Sequence, residues 1–93
     1  MTVTTFHDAE DPAADAAFGH WRREHPRGFF LNYGSVDDMV VHRVDCPHFI
    51  FREARSLTSY KKVCSESLEE LKSWAADHGQ NEPRFCRTCS PRT

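Results

Sequence analysis

The sequence predicts an α+β domain organised around a metal: an N-terminal helix, a small antiparallel sheet made of a hairpin and a possible third strand, a C-terminal helix and a terminal CxxC knuckle. Three observations carry that expectation. Apolar residues recur at helical spacing in two stretches, near residues 11–25 and 67–78. Two strand-like runs, 29–34 and 39–44, are joined by turn-forming residues 34–38. Cysteines at 46, 86 and 89, with a histidine at 42, fall in a metal-ligand frame.

Residues 1–10 read as a flexible lead-in, and residues 11–93 as one domain. Asp11 and Pro12 open the first helix: the carboxylate caps free N–H groups, and proline suits a first turn where its missing donor costs nothing. Ala14, Phe18, Trp21 and His25 then share one face. Asp15 lies early while Arg22 and Arg23 lie late, which complements the helix dipole. Pro26 and Gly28 end the helix.

In the hairpin, Val40, His42 and Val44 point to one side of the sheet, and Met39, Val41 and Arg43 to the other. Residues 47–58 read equally as a helical turn or an irregular loop, and 59–64 as a short third strand. Ser67 and Glu70 have the spacing of a capping box, in which hydroxyl and carboxylate each satisfy a free backbone donor. The helix they open carries Leu68, Leu71, Trp74 and Ala75 inward and stops at His78 and Gly79.

Ninety-three residues give a small core, so a metal staple has an evident use. No apolar run is long enough to cross a membrane, nothing reads as a secretory signal, and the cytoplasm is the expected location. The net charge of −2 is uneven: residues 1–42 carry three Lys/Arg against seven Asp/Glu, and residues 43–93 carry nine against seven. The second half is therefore mildly basic, too weakly so to indicate nucleic-acid binding by charge alone.

The cysteines favour zinc over disulfides or a redox pair. A disulfide scaffold needs an oxidising compartment. A thioredoxin-like CxxC sits at a helix start after a strand, whereas this one lies between Pro83 and Pro91 near the chain's end. Four residues along a strand span about 13 Å, while donors on one zinc lie only about 2.0–2.3 Å from it. The chain must therefore bend between His42 and Cys46, and Pro47 helps to end the strand there. Cys46, Cys86 and Cys89 are the firmest ligands. His42 and Cys64 compete for the fourth place, the alternatives being a half-buried strand histidine and a small buried core cysteine. His48 and His78 read as surface histidines. Four protein ligands would close the coordination sphere, and no HExxH or placed general base accompanies them, so the expected Zn2+ is structural and the chain is not expected to be an enzyme.

The frame from Val41 through His42 and Cys46 to Phe85, Cys86, Cys89 and Pro91 resembles a small bacterial zinc module with an HxxxC…CxxC-P pattern. That module is found appended to nuclease-like and DNA-uptake-associated proteins. The frame is also similar to the N-terminal metal-binding domain of the Ada DNA-repair protein, which has CxxxC followed by CxxC. The resemblance covers about residues 39–91 and implies a nucleic-acid-binding accessory module. It departs from Ada at His42, which stands where Ada places its methyl-accepting cysteine, and an imidazole is no substitute for an activated thiolate. Arg43, Arg52, Arg55, Lys61, Lys62, Arg84 and Arg87 are the candidate nucleic-acid contacts, the alternative being solvated surface charge. The competing function is a zinc-stabilised protein-interaction domain, for which Phe18 and Trp21 on the acidic N-terminal helix offer an aromatic face unless they are core.

Overall fold

The computed structural model describes residues 3–46, 58, 60–79 and 82–87. In chain order they form β1 (Thr4–Phe6), α1 (Ala14–Glu24), β2 (Phe29–Ser35), β3 (Asp38–Arg43), β4 (Lys61–Ser65), α2 (Leu68–Asp77) and β5 (Arg84–Phe85). The five strands make one sheet in the order β1-β4-β2-β3-β5. The α+β class holds, but the sheet is larger than the sequence suggested, and it is mixed: the short β3–β5 pairing is parallel, and the other three are antiparallel.

The hairpin forms as its alternation requires, with Phe30 opposite His42 and Leu31 opposite Val41. A register shift falls between Tyr33 and Ser35, and Gly34 occupies it. A β-carbon there would sit 2.7 Å from Asp38 Oδ2. The third strand pairs with β2 rather than with β3, which puts β2 at the centre of the sheet. Beyond it, Thr4, Thr5 and Phe6 pair with Cys64, Val63 and Lys62. The segment expected as a loose lead-in thus supplies an edge strand, for which its β-branched threonines are suited.

Each face of the sheet is covered by one helix. On one face Phe18 of α1 packs with Phe30, Val44, Cys46, Cys64 and Cys86. Phe18 meets Phe30 edge-on at 5.3 Å and is fully buried, with Trp21 and Phe6 beside it. Of the aromatic face of the N-terminal helix, Phe18 is therefore core, while Trp21 packs against that core and stays partly exposed. On the opposite face Leu68, Leu71 and Ala75 of α2 pack with Leu31, Met39, Val41 and Val63. The odd–even alternation read from the hairpin is the alternation observed: Val40 and Val44 lie with the first cluster, Met39 and Val41 with the second.

Asp11 Oδ1 accepts from the Ala13 N–H at 2.9 Å, and its carbonyl accepts from the Ala14 N–H at 3.0 Å. It therefore caps a turn that leads into α1, and the helix proper starts slightly after Pro12. Asp15 has a tertiary role besides its dipole position: its Oδ1 accepts from both the N–H (2.9 Å) and the hydroxyl (2.5 Å) of buried Thr58. At α2, Ser67 Oγ accepts from the Glu70 N–H at 3.3 Å, as the capping box predicts. The return half runs through a third residue. The Ser67 N–H donates to Ser65 Oγ at 2.9 Å, and that hydroxyl donates to Glu70 Oε1 at 2.5 Å. Gly79, at φ 118°, ends the helix in a conformation that favours glycine.

Candidate metal centre

The centre lies where β3 ends. Its last residue but one, His42, is followed by a tight turn in which the Cys46 N–H donates to the Arg43 carbonyl at 3.0 Å. The Val44 N–H is tied back to the Gly28 carbonyl at 3.1 Å. This is the bend that HxxxC spacing demands, and it places Cys46 beside His42 rather than a strand's length beyond it. The second half-site arrives along β5. Phe85 pairs with Val41, and the Cys86 N–H donates to the Val41 carbonyl at 2.9 Å, so the register sets Cys86 next to His42.

A ligand atom from each of His42, Cys46 and Cys86 lies within 4.8 Å of the other two. The Cys46 and Cys86 sulfurs are 3.7 Å apart. A disulfide would need about 2.05 Å. Two thiolates on tetrahedral zinc, each about 2.3 Å from the metal, stand about 3.7 to 3.8 Å apart. The donor chemistry and the spacing therefore both fit such an ion. Cys46 is fully buried, Cys86 nearly so and His42 partly, with the His42 ring stacked on Phe30 at 5.0 Å and 22°. That stacking fixes the imidazole plane. Cys89 lies outside the described residues.

Cys64 does not join this cluster. Phe30 pairs with His42 on one side and with Cys64 on the other, so the two residues are separated by two strand spacings, about 10 Å. Of the two candidates for the remaining ligand place, the register brings only His42 to the cysteines. Cys64 is a thiol buried among Phe18, Phe30 and Val44. Burial pushes its ionisation well above the ordinary cysteine value, and neighbouring Lys62 and Arg22 offset this only in part. Cys64 is thus inert core rather than ligand or nucleophile.

The candidate nucleic-acid contacts are dispersed. Arg43 is paired with Asp45 at 3.0 Å, and Arg84 is paired with Asp38 across the β3–β5 edge. Lys62 is buried, at 3 % exposure, and its amine donates to Asn32 Oδ1 and, at 3.3 Å, to the Tyr60 carbonyl. The Lys62 ammonium is thus held inside the protein by these two acceptors instead of standing at the surface. Lys61 is half-buried and Arg87 exposed. Phe29 pairs with both Arg43 and Ser65, whereas Lys61 pairs with Tyr33, so Lys61 and Arg43 stand at opposite ends of the sheet. Arg52 and Arg55 lie outside the described residues, as do His48, Pro47 and Pro91. His78 caps α2, its ring stacked on Trp74 at 3.7 Å.

No helix among the described residues is long and apolar enough to cross a membrane. No family model, no curated protein and no solved structure matches the chain.

Proposed function

We propose that this chain is a structural-zinc domain whose metal is held by His42, Cys46, Cys86 and Cys89, and whose role is to bind a protein partner rather than to catalyse a reaction. The observation that carries the zinc reading is the 3.7 Å separation of two buried sulfurs forty residues apart in the chain, with an imidazole beside them. From CxxC spacing, Cys89 would be the fourth donor to the same ion. With four protein donors no coordination position is left for substrate or water, which supports a structural role. The metal would join the end of β3 to β5 and hold together a sheet edge that has only a two-residue strand of its own.

A protein partner is favoured over nucleic acid by the fate of the basic residues: Arg43 and Arg84 pair with aspartates, and Lys62 is buried. The nucleic-acid reading rests on Arg87, exposed and adjacent to Cys86, together with Lys61, Arg52 and Arg55. Elemental analysis of wild type, His42→Ala, Cys64→Ala and Cys89→Ala tests the metal set. One tightly held zinc is expected in wild type and Cys64→Ala, and loss of it in the other two. A wild-type protein without stoichiometric metal sinks the reading. Titration with duplex DNA over a range of salt separates the partner classes: a steep salt dependence would transfer the assignment to nucleic acid.

A further inference from the structure

β1 is an edge strand, with β4 on one side and no strand on the other among the described residues. Thr4 and Thr5 are exposed. In such a strand alternate backbone N–H and C=O groups point away from the sheet, where an added chain can pair with them. The surfaces on either side of this edge are grooved. One groove, of about 650 Å³, is lined by Thr4, Trp21, His25, Glu66 and Glu70. The other, of about 690 Å³, is lined by Val3, Glu69, Glu70, Trp74 and Asp77. Thr4, the first residue of β1, lines one groove, and Val3, which precedes it, lines the other.

The two grooves share a chemistry. Each has a half-exposed tryptophan and carboxylates, and among the described residues neither is lined by lysine or arginine. The Glu66 and Glu69 side chains are 59 % and 80 % exposed, and their partners, His25 at 3.3 Å and Lys72 at 3.4 Å, form surface pairs that an incoming cation can replace at small cost. The Trp21 indole lies against Gly28, where a β-carbon would come within 2.7 Å of the ring, and His25 stacks on it at 4.3 Å. Trp74 is held edge-on by Tyr33 at 5.5 Å. Aromatic faces fixed beside carboxylates favour the alkyl stems and cationic heads of lysine and arginine.

We propose that the β1 edge is a docking site for an extended, basic peptide segment of a partner protein, which adds as a sixth strand and drops alternate side chains into the two acidic grooves. Main-chain pairing supplies affinity and the flanking grooves supply specificity, as in other strand-addition modes. This deepens the protein-binding reading above and rests on it. It makes no use of the metal, so metal content and chelator melts report on the zinc assignment alone.

The test is a titration of the zinc-loaded full chain with a peptide of about ten residues, rich in lysine and arginine with interspersed threonine and valine. Three further peptides serve as comparisons, one with glutamate at every basic position and two N-methylated at alternate backbone nitrogens, one in each register. Saturable binding of the basic peptide is expected, with slowed amide exchange at residues 3–6 and quenching of tryptophan emission. The glutamate peptide and at least one N-methylated register are expected to bind about tenfold more weakly or less. The variant Glu66→Gln/Glu69→Gln/Asp77→Asn changes only exposed side chains; it is expected to keep its melting temperature and to lose about tenfold in affinity. Absence of saturable binding at low salt overturns the inference. So does binding that ignores N-methylation, or amide protection that appears away from β1.

Discussion

Cys46 and Cys86 lie forty residues apart in the chain, yet their sulfurs stand 3.7 Å apart. Two separate backbone devices bring them there. The Arg43-to-Cys46 turn folds the end of β3 back on itself, and the parallel pairing of β5 with β3 delivers Cys86 to the same place. Both devices are short: one hydrogen-bonded turn and two paired residues. A metal shared by the two thiols, as proposed above, would add a third tie between these segments.

Removing the metal should therefore unfold the domain rather than merely loosen it. Structural zinc contributes about 10–16 kcal/mol in small zinc-folded peptides, against a net stability of about 5–15 kcal/mol for a whole domain. A strong chelator is expected to abolish the cooperative thermal transition seen by circular dichroism, and added zinc to restore it. A melt indifferent to chelator would show that the hydrophobic clusters on the two faces suffice.

Cys64 should behave as the opposite of a ligand. Cys64→Ala is expected to retain full metal and to lose about 1–2 kcal/mol from the small cavity left beside Phe18 and Phe30. The wild-type thiol should also give a pH dependence. Burial raises its ionisation in the folded state, so above about pH 9 the unfolded chain gives up a proton that the folded chain retains. The stabilisation is complete below the unfolded value and is lost as pH rises past it, by at most about 1.4 kcal/mol per pH unit. Denaturant titrations at pH 8 and 10 should show a decline in wild type that is smaller in Cys64→Ala. Equal declines would exclude Cys64 as the source.

Two glycines offer a contrast in close approach. At Gly28 an added β-carbon would lie 2.7 Å from the Trp21 ring and 3.0 Å from the His25 carbonyl, both fixed by packing and backbone. At Gly34 the nearest atom, also at 2.7 Å, is the Asp38 carboxylate oxygen, though the Asp38 carbonyl follows at 3.3 Å. Gly28→Ala should cost about 1–3 kcal/mol and shift tryptophan emission, because the indole must move. Gly34→Ala should cost less, since an exposed carboxylate swings aside more readily than a partly buried indole packed against the core. Comparison of the two denaturation midpoints decides it, and the reverse order would contradict the packing described.

What the sequence revealed was what local rules control. Helical spacing of Phe18 and Trp21, alternation from Met39 to Val44, the Ser67–Glu70 cap and the HxxxC frame each depend on residues within a few positions of one another. β1 has no comparable local signal, because a three-residue strand carries too little alternation to be told from a tail. The position of β4 beside β2, and the parallel docking of β5, depend on which edge the chain returns to, and no local signal encodes that. The choice between His42 and Cys64 turned on that topology. Both are acceptable donors by chemistry, and only the insertion of β2 between their strands separates them. The fate of the basic residues was hidden for the same reason: Lys62 looks like a surface charge until β4 is placed between β1 and β2, where its amine meets Asn32.

Ser65 links the end of β4 to the start of α2 and makes the cap a three-residue unit. Its hydroxyl takes the Ser67 N–H and donates to Glu70, whose own N–H is held by the Ser67 hydroxyl. Ser65 is 5 % exposed, so water cannot easily replace it. Ser65→Ala would leave the Ser67 N–H without its acceptor and the Glu70 carboxylate without its donor, at a cost of about 1–3 kcal/mol. Ser67→Ala, which removes an ordinary cap, should cost about 1 kcal/mol. If the three residues act together, Ser65→Ala and Glu70→Ala will not add. The double variant should be less destabilised than the sum of the single ones by at least about 0.5 kcal/mol. Strict additivity in a double-mutant cycle would reduce the relay to three independent contacts. It would also leave α2 capped, as the sequence first suggested, by Ser67 and Glu70 alone.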